Sequence, residues 1–239
     1  LEGAGGLAYW QGESDVMKRH YEEALTLTRE LGNKSRIANA LYNMSFTVWL
    51  KGDFTEAGAP WVRNVLDEAI ALAREAGDMG TVARCLWARA GTESQLGYYA
   101  DAEKALAEAI PLFRNSGDLF GLAWTLHTAG TTEMKLGNVA SARRALNEML
   151  ALLAEARDVS GVALALGDHA QLAMLEGNRQ CAVKLAGASA ALRKQCGAGL
   201  VNIVDVLEKR SIEPSEEDRA PWDEGLAMTF DEAIALAMR

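Results

Sequence analysis

Two carboxylates, Glu93 and Glu133, are the residues whose type and spacing come closest to a reaction centre. Each lies four residues before a glycine on a helix face expected to be buried, and Arg89 lies one helical turn before Glu93. Paired carboxylates can serve as general acid and base, but no nucleophile or metal set accompanies them. Because buried carboxylates must be paired, we favour an ion-pair network, predict that both are largely buried, and predict no catalytic residue.

Other chemical motifs are weaker. The stretch GAGG at 3–6 lacks the Lys-Ser/Thr pair that follows a phosphate-binding loop. The three cysteines, Cys85, Cys181 and Cys196, have no metal-ligand spacing and are typical of reduced thiols in a cytoplasmic protein. The sequence therefore predicts no metal site and no cofactor.

Composition narrows the possible partners. The 239 residues are 49% hydrophobic and carry a net charge of -9, so no basic field is available to neutralise phosphates. No apolar run reaches the roughly 18 residues that span a bilayer, and the start LEGAGGLAYW has no signal-peptide pattern. We predict no direct nucleic-acid binding, no membrane binding and a cytoplasmic location.

The elements that position these residues repeat along the chain. Turn glycines recur at intervals of 40, 45, 40 and 40 residues, at positions 12, 52, 97, 137 and 177. A second set lies at 32, 77, 117 and 197, with Arg157 in the place of one glycine. A phosphate loop would occur once, so Gly137 is predicted to be one of five equivalent turns between helices.

Between the turns lie alternating stretches of helical pattern, so each unit is a helix hairpin that must stack on its neighbours. The predicted fold is all-α, an α-solenoid wound as a right-handed superhelix of hairpins of about 40 residues. Residues 1–198 should form five hairpins, the first truncated as if the chain continued upstream, and residues 199–239 should form capping helices. An insertion near 58–63 should break or kink a helix at Pro60, and we favour a surface insertion over a ligand-gating loop built on Trp61. Thr229 and Glu232 should form a capping box.

This pattern resembles the tetratricopeptide repeat family over residues 1 to about 198. The end WDEGLAMTFDEAIALAMR is similar to the closing segment of the repeat region in large bacterial regulators that join a signalling ATPase, often with a LuxR-type DNA-binding module. That similarity rests on Trp222, Gly225, Met228 and the run Asp231 to Ala233. The resemblance implies the regulatory C-terminal part of such a protein.

In tetratricopeptide proteins the first helix of each hairpin lines a concave groove, and its exposed stripe should recur at helical spacing. The candidate ligand- or peptide-binding residues on this stripe are Asn39, Tyr42, Phe46, Trp49, Arg84, Trp87, Trp124, His127 and Thr131. Large rings interleaved with polar groups suit an apolar ligand that also forms hydrogen bonds. The alternative, which stays open here, is that the rings pack between adjacent hairpins.

The leading functional hypothesis is an interaction and ligand-sensing module that binds a protein or peptide partner or a small-molecule inducer. The alternative within binding functions is a self-association scaffold without a small ligand, such as a homodimer. An enzyme is the least favoured class, because no catalytic constellation has usable spacing.

Overall fold

The computed structural model describes residues 1–51, 58–196, 212 and 214–239, and this part of the chain is all-helical, with no strand. Contacts divide the chain into two compact units, Leu1–Gly121 and Leu122–Arg239. The helices are α1 (Glu2–Gln11), α2 (Ser14–Leu31), α3 (Lys34–Lys51), α4 (Gly58–Glu75), α5 (Met79–Gln95), α6 (Tyr99–Ser116), α7 (Leu119–Lys135), α8 (Val139–Glu155), α9 (Val159–Leu175), α10 (Arg179–Cys196), α11 (Arg219–Leu226) and α12 (Phe230–Ala237).

The turn glycines end helices as predicted. Gly137 has φ of 77°, in the left-handed region that glycine adopts at little cost. Positive φ also occurs at the predicted turns Gly12, Gly32, Gly77, Gly97, Gly117 and Gly177. Arg157, which replaces a glycine of the second set, shares this conformation with φ of 54°. Gly52 and Gly197 lie outside the described residues.

Within the described residues, the residue after each turn of the second set caps the next helix. Asp78 Oδ1 accepts a hydrogen bond of 3.0 Å from the backbone N–H of Thr81, so it caps α5. Side chains at the equivalent positions make the same bond at the start of α3, α7 and α9: Asn33, Asp118 and Asp158. A glycine followed by Asn or Asp therefore stops one helix and starts the next, which fixes the hairpin period.

The first unit contains three hairpins, α1–α2, α3–α4 and α5–α6, and each packs on the next. The first helices α3 and α5 also contact each other, which brings their side chains onto one surface. Helix α4 begins at Gly58 with Pro60 in its first turn, where a missing backbone N–H is tolerated. The sequence predicted a break here, and residues 52–57 lie outside the described residues.

In the second unit, α7 approaches α8 closely at Gly130, where an added Cβ would meet the Leu146 side chain at 2.4 Å. The absence of a side chain at this position lets the two helices of the hairpin pack closely. Helix α9 pairs with α10, α11 packs along α10, and α12 contacts α8, α9 and α10. The predicted capping box of Thr229 and Glu232 is confirmed at the start of α12. No described helix combines the length and apolarity needed to cross a membrane.

Candidate interaction surface

Four aromatic side chains from three successive first helices form a connected cluster in the first unit. The Tyr9 and Phe46 ring centres are 5.5 Å apart, those of Tyr42 and Phe46 5.1 Å, and those of Phe46 and Trp87 6.1 Å. We call these residues the aromatic cluster. Its rings contact one another across hairpins, as the packing alternative requires, yet each keeps partial solvent exposure, as binding requires.

Arg84 adds a cationic group beside the aromatic cluster. Its Cζ lies 5.6 Å from the centre of the Tyr42 ring, and its Nη2 donates a hydrogen bond of 2.8 Å to Thr81 Oγ1. Its Nε is buried and has no acceptor among the described residues. A buried donor without a partner costs free energy, which makes this atom an exception to be explained.

A hydrogen-bond chain holds Arg84 in place. Thr81 donates through Oγ1 to Asp78 Oδ2 at 2.8 Å, and Ser35 donates to the same carboxylate. Burial raises the pKa of Asp78, but the hydrogen bonds from Ser35 and Thr81 and the nearby Arg84 charge outweigh it, so the pKa is lowered overall. The carboxylate therefore stays ionised and anchors the residue that Arg84 contacts.

The other predicted stripe residues of the first unit are Asn39 and Trp49. Asn39 is half-buried and donates a hydrogen bond of 3.1 Å to Glu2 Oε1, so it already has a partner on α1. Trp49 lies in α3, and its side chain lies outside the described residues.

In the second unit the expected exposed stripe is wrong at two positions. His127 is 4% exposed, and its Nδ1 lies 2.8 Å from Oδ2 of Asp168, which is fully buried. Thr131 is also buried and donates to the carbonyl of Thr128 in its own helix. Trp124 is partly exposed and packs edge-on against His127, with ring centres 5.6 Å apart. The His127 side chain lies in the interface with α9, where it meets Asp168.

The predicted ion-pair network forms around Glu93 in the first unit. Glu93 is 1% exposed and accepts hydrogen bonds from Arg89 at 2.5 Å and from Arg63 at 2.9 Å, and Arg89 also pairs with Asp67. Two guanidinium groups compensate one buried carboxylate. Glu133, in contrast, is only half-buried and accepts from Asn138, so the prediction of burial is wrong for this residue.

Burial keeps three weakly acidic side chains of the first unit in their protonated form. Burial raises the pKa of the Cys85 thiol to about 12, and burial together with Tyr21 raises the pKa of Tyr9 to about 12. Burial also raises the pKa of Tyr42, although the Arg84 charge opposes it. All three groups are therefore protonated at neutral pH. Among the described residues no three His, Cys, Asp or Glu side chains could hold a metal ion together.

A model of a known protein family matches the repeats of this chain. A profile described as anaphase-promoting complex subunit 5 matches three tandem stretches, residues 39–90, 82–130 and 123–175. Together these stretches span more than half of the chain, and they begin within α3, α5 and α7, the first helices of successive hairpins. The chain belongs to this family of tetratricopeptide-like helical repeats. No curated protein sequence matches the chain.

The anaphase-promoting complex subunit 5 family match covers all nine candidate binding residues, which lie between positions 39 and 131. It supports the helical repeat and does not single out the bacterial LuxR-type regulators. Within this family of repeats, the aromatic cluster and Arg84 come together in the first unit, whereas Trp124, His127 and Thr131 lie in the second. That all nine share one groove stays a prediction.

Sequence reasoning missed two residues that form side-chain pairs across the repeat interfaces of this chain. Arg63 reaches Glu93 from the second helix of the preceding hairpin, and Asp168 meets His127 from the next first helix. A signal for Asp168 exists, because it is an acidic residue in the largely apolar helix VSGVALALGDHAQLAML, one repeat and one residue after His127. No comparable signal marks Arg63.

Proposed function

We propose that this chain is a protein-interaction module that binds a segment of a partner protein on the aromatic cluster and Arg84. The observation that carries the proposal is the Arg84 guanidinium, held by Thr81 beside rings that are partly exposed. A partner segment with an apolar side chain next to a carboxylate would cover the rings and pair with the exposed part of this guanidinium.

The energetics favour such an occupant. Covering large, partly exposed rings removes apolar area from water, and aromatic and arginine side chains carry much of the binding free energy at interfaces. Phe46 contacts three other rings and Arg84 is held through Thr81, so little conformational entropy is lost on binding.

For the biological setting, we propose the regulatory C-terminal region of a larger bacterial signalling ATPase or transcriptional regulator, located in the cytoplasm. The support is the resemblance of the segment around Trp222 and Gly225. The family name refers to a subunit of a complex, which also favours a partner protein over a reaction. A small-molecule inducer or a second copy of this chain are the competing occupants.

Catalysis is not proposed. Among the described residues, His127 and Asp168 are paired as in an acid–base dyad, but both side chains are buried and offer no surface to a substrate.

The test is selection of a peptide library displayed on phage against the purified chain. We expect the selected peptides to share an acidic residue next to an apolar one. Arg84→Gln should weaken their binding by about 10- to 100-fold, since a charge-assisted hydrogen bond is worth about 1.5–3 kcal/mol. Arg36→Gln, which removes an exposed arginine of α3, is the control and should bind like the wild-type chain.

Two results would overturn the proposal. One is a selection that enriches no common peptide, or peptides whose affinity is unchanged by Arg84→Gln. The other is a dimer, seen by sedimentation, that Arg84→Gln dissociates, which would favour the self-association scaffold. Equal thermal melting of both variants excludes unfolding as the cause.

A further inference from the structure

A cavity of about 450 Å³ lies in the second unit, at the end of α9 where α8, α10 and α12 meet. All its lining residues belong to the second unit, and none of them is part of the aromatic cluster. Its apolar lining includes Ala173, Leu185, Leu236 and Ala237. The volume falls in the range of small-molecule sites.

The charged lining of this cavity is predominantly cationic. Arg143, Lys184 and Arg239 face one carboxylate side chain, Glu176. Arg143 donates to both oxygens of Glu176, from Nε at 3.1 Å and from Nη2, and Lys184 pairs with Glu224, which is not part of the lining. With Glu224 counted, the three cationic side chains still exceed the carboxylate side chains by one, and in a chain with net charge -9 this local positive charge favours an anion.

The thiol of Cys181 is part of the cavity lining, and the charges of the neighbouring side chains act on its pKa. Burial raises the pKa of its thiol, while Arg143, Lys184 and Arg239 act in the opposite direction and Glu176 adds to the rise. The thiol therefore lies close to all four charges. Its half-buried position gives a chemical probe of the cavity.

His169 closes the inner wall of the cavity. Its Nδ1 donates to the Ala165 carbonyl at 2.8 Å, which leaves Nε2 as the unprotonated nitrogen of the neutral ring, and Nε2 lies 3.0 Å from the side-chain amide of Asn147. Burial lowers the pKa of His169, so the ring is neutral at neutral pH. The cavity wall thus offers a polar but uncharged group beside its apolar end.

We propose that this cavity binds a small organic oxyanion, with the carboxylate or phosphate group between Arg143 and Lys184 and an apolar portion against Leu185 and Leu236. Arg143 and Lys184 are partly buried, with side chains 32% and 20% exposed, so their attraction for an anion is screened less than at an open surface. Small effectors bound here would meet α12, which forms part of the wall.

The test measures alkylation of the three cysteines by N-ethylmaleimide, quantified by peptide mass spectrometry. Cys181 reports the cavity, exposed Cys196 is an internal control, and buried Cys85 reports unfolding. Butyl phosphate, butyrate and butanol are compared at matched ionic strength. We expect butyl phosphate to slow Cys181 alkylation by about tenfold, with a half-maximal effect at about millimolar concentration for so small a ligand, and to leave Cys196 unchanged.

Substitutions of the cationic lining residues identify which side chains bind the anion. Arg143→Gln and Lys184→Gln should each raise the half-maximal concentration by about tenfold. Arg144→Gln is the matched control, because the neighbouring Arg144 does not line the cavity. The double variant Arg143→Gln/Glu176→Gln removes Arg143 together with the carboxylate that it pairs with. Weaker protection of Cys181 in this variant is therefore due to the lost guanidinium and not to an unpaired Glu176.

Protection by both anions identifies the shared oxyanion, and protection by butyl phosphate alone identifies a phosphate ester. Either result supports the proposal. Equal protection by butanol, no protection by either anion, or wild-type protection in the double variant would overturn it. None of these outcomes depends on the aromatic cluster, so this site can fail while the proposed peptide binding holds.

Discussion

His127 Nδ1 lies 2.8 Å from Asp168 Oδ2, and the two side chains join the first helices of adjacent hairpins inside the second unit. Removing the imidazole takes one hydrogen-bond partner from a buried carboxylate. His127→Ala should therefore lower the free energy of unfolding by about 1–3 kcal/mol, measured by urea denaturation. His127→Ala/Asp168→Asn, which also removes the carboxylate, should recover part of this loss. A double variant less stable than the single one would contradict the coupling of these two side chains.

Arg157 takes the left-handed conformation that glycine takes in the equivalent turns, and its side chain compensates for this. The guanidinium lies 4.7 Å from the Phe230 ring centre and 2.8 Å from Asp231 Oδ1, both on α12. Arg157→Ala loses these contacts and keeps the backbone strain, whereas Arg157→Gly loses the contacts and relieves it. We expect the Gly variant to be more stable than the Ala variant by about 1 kcal/mol in urea denaturation. Equal stability would show that the turn is not strained.

Gly225 of α11 packs directly on the backbone of α10. An added Cβ would lie 2.1 Å from the Lys184 carbonyl oxygen, an atom that cannot turn aside. Gly225→Ala should destabilise the docking of α11 by about 1–3 kcal/mol and accelerate hydrogen exchange in α11. Gly3→Ala is the control, because a Cβ there meets nothing within 4 Å. Unchanged exchange in Gly225→Ala would show that α11 does not rely on this close approach.

Asp218 should make the folded chain less stable at acidic pH. Hydrogen bonds from Arg179, then from the backbone and hydroxyl of Ser215, lower the pKa of Asp218 to about 2. Its folded pKa lies below the ordinary value of 3.8, so its contribution is fully present above that value and is lost as the pH falls towards 2. Asp218→Asn should flatten this part of a melting-temperature profile. If the melting temperature of Asp218→Asn fell with pH between 3.8 and about 2 as steeply as that of the wild-type chain, other carboxylates would cause the loss of stability.

Periodicity predicted the helices and turns because a glycine every 40 residues is a local signal. The Asn or Asp after the second glycine acts locally too, as at Asp78. Side-chain pairs that join neighbouring hairpins, such as His127 and Asp168, could not be predicted from such local signals. Whether His127 faces solvent or Asp168 depends on the rotation of one helix against the next, which residue spacing along one helix does not fix.

Trp87→Ala tests most directly the claim that the aromatic cluster binds a partner segment. Trp87 is the ring of this cluster that lies on α5, the helix that also carries Arg84. Titration with the selected peptide and urea denaturation are performed on the same variant. A binding anchor predicts that affinity falls by about 1–3 kcal/mol while the helical fold is retained. Trp61→Ala, which removes an exposed tryptophan of α4, should leave affinity unchanged. A Trp87→Ala protein destabilised by about 3–5 kcal/mol that binds the peptide as tightly as the wild-type chain would show that the ring is core and would contradict the account.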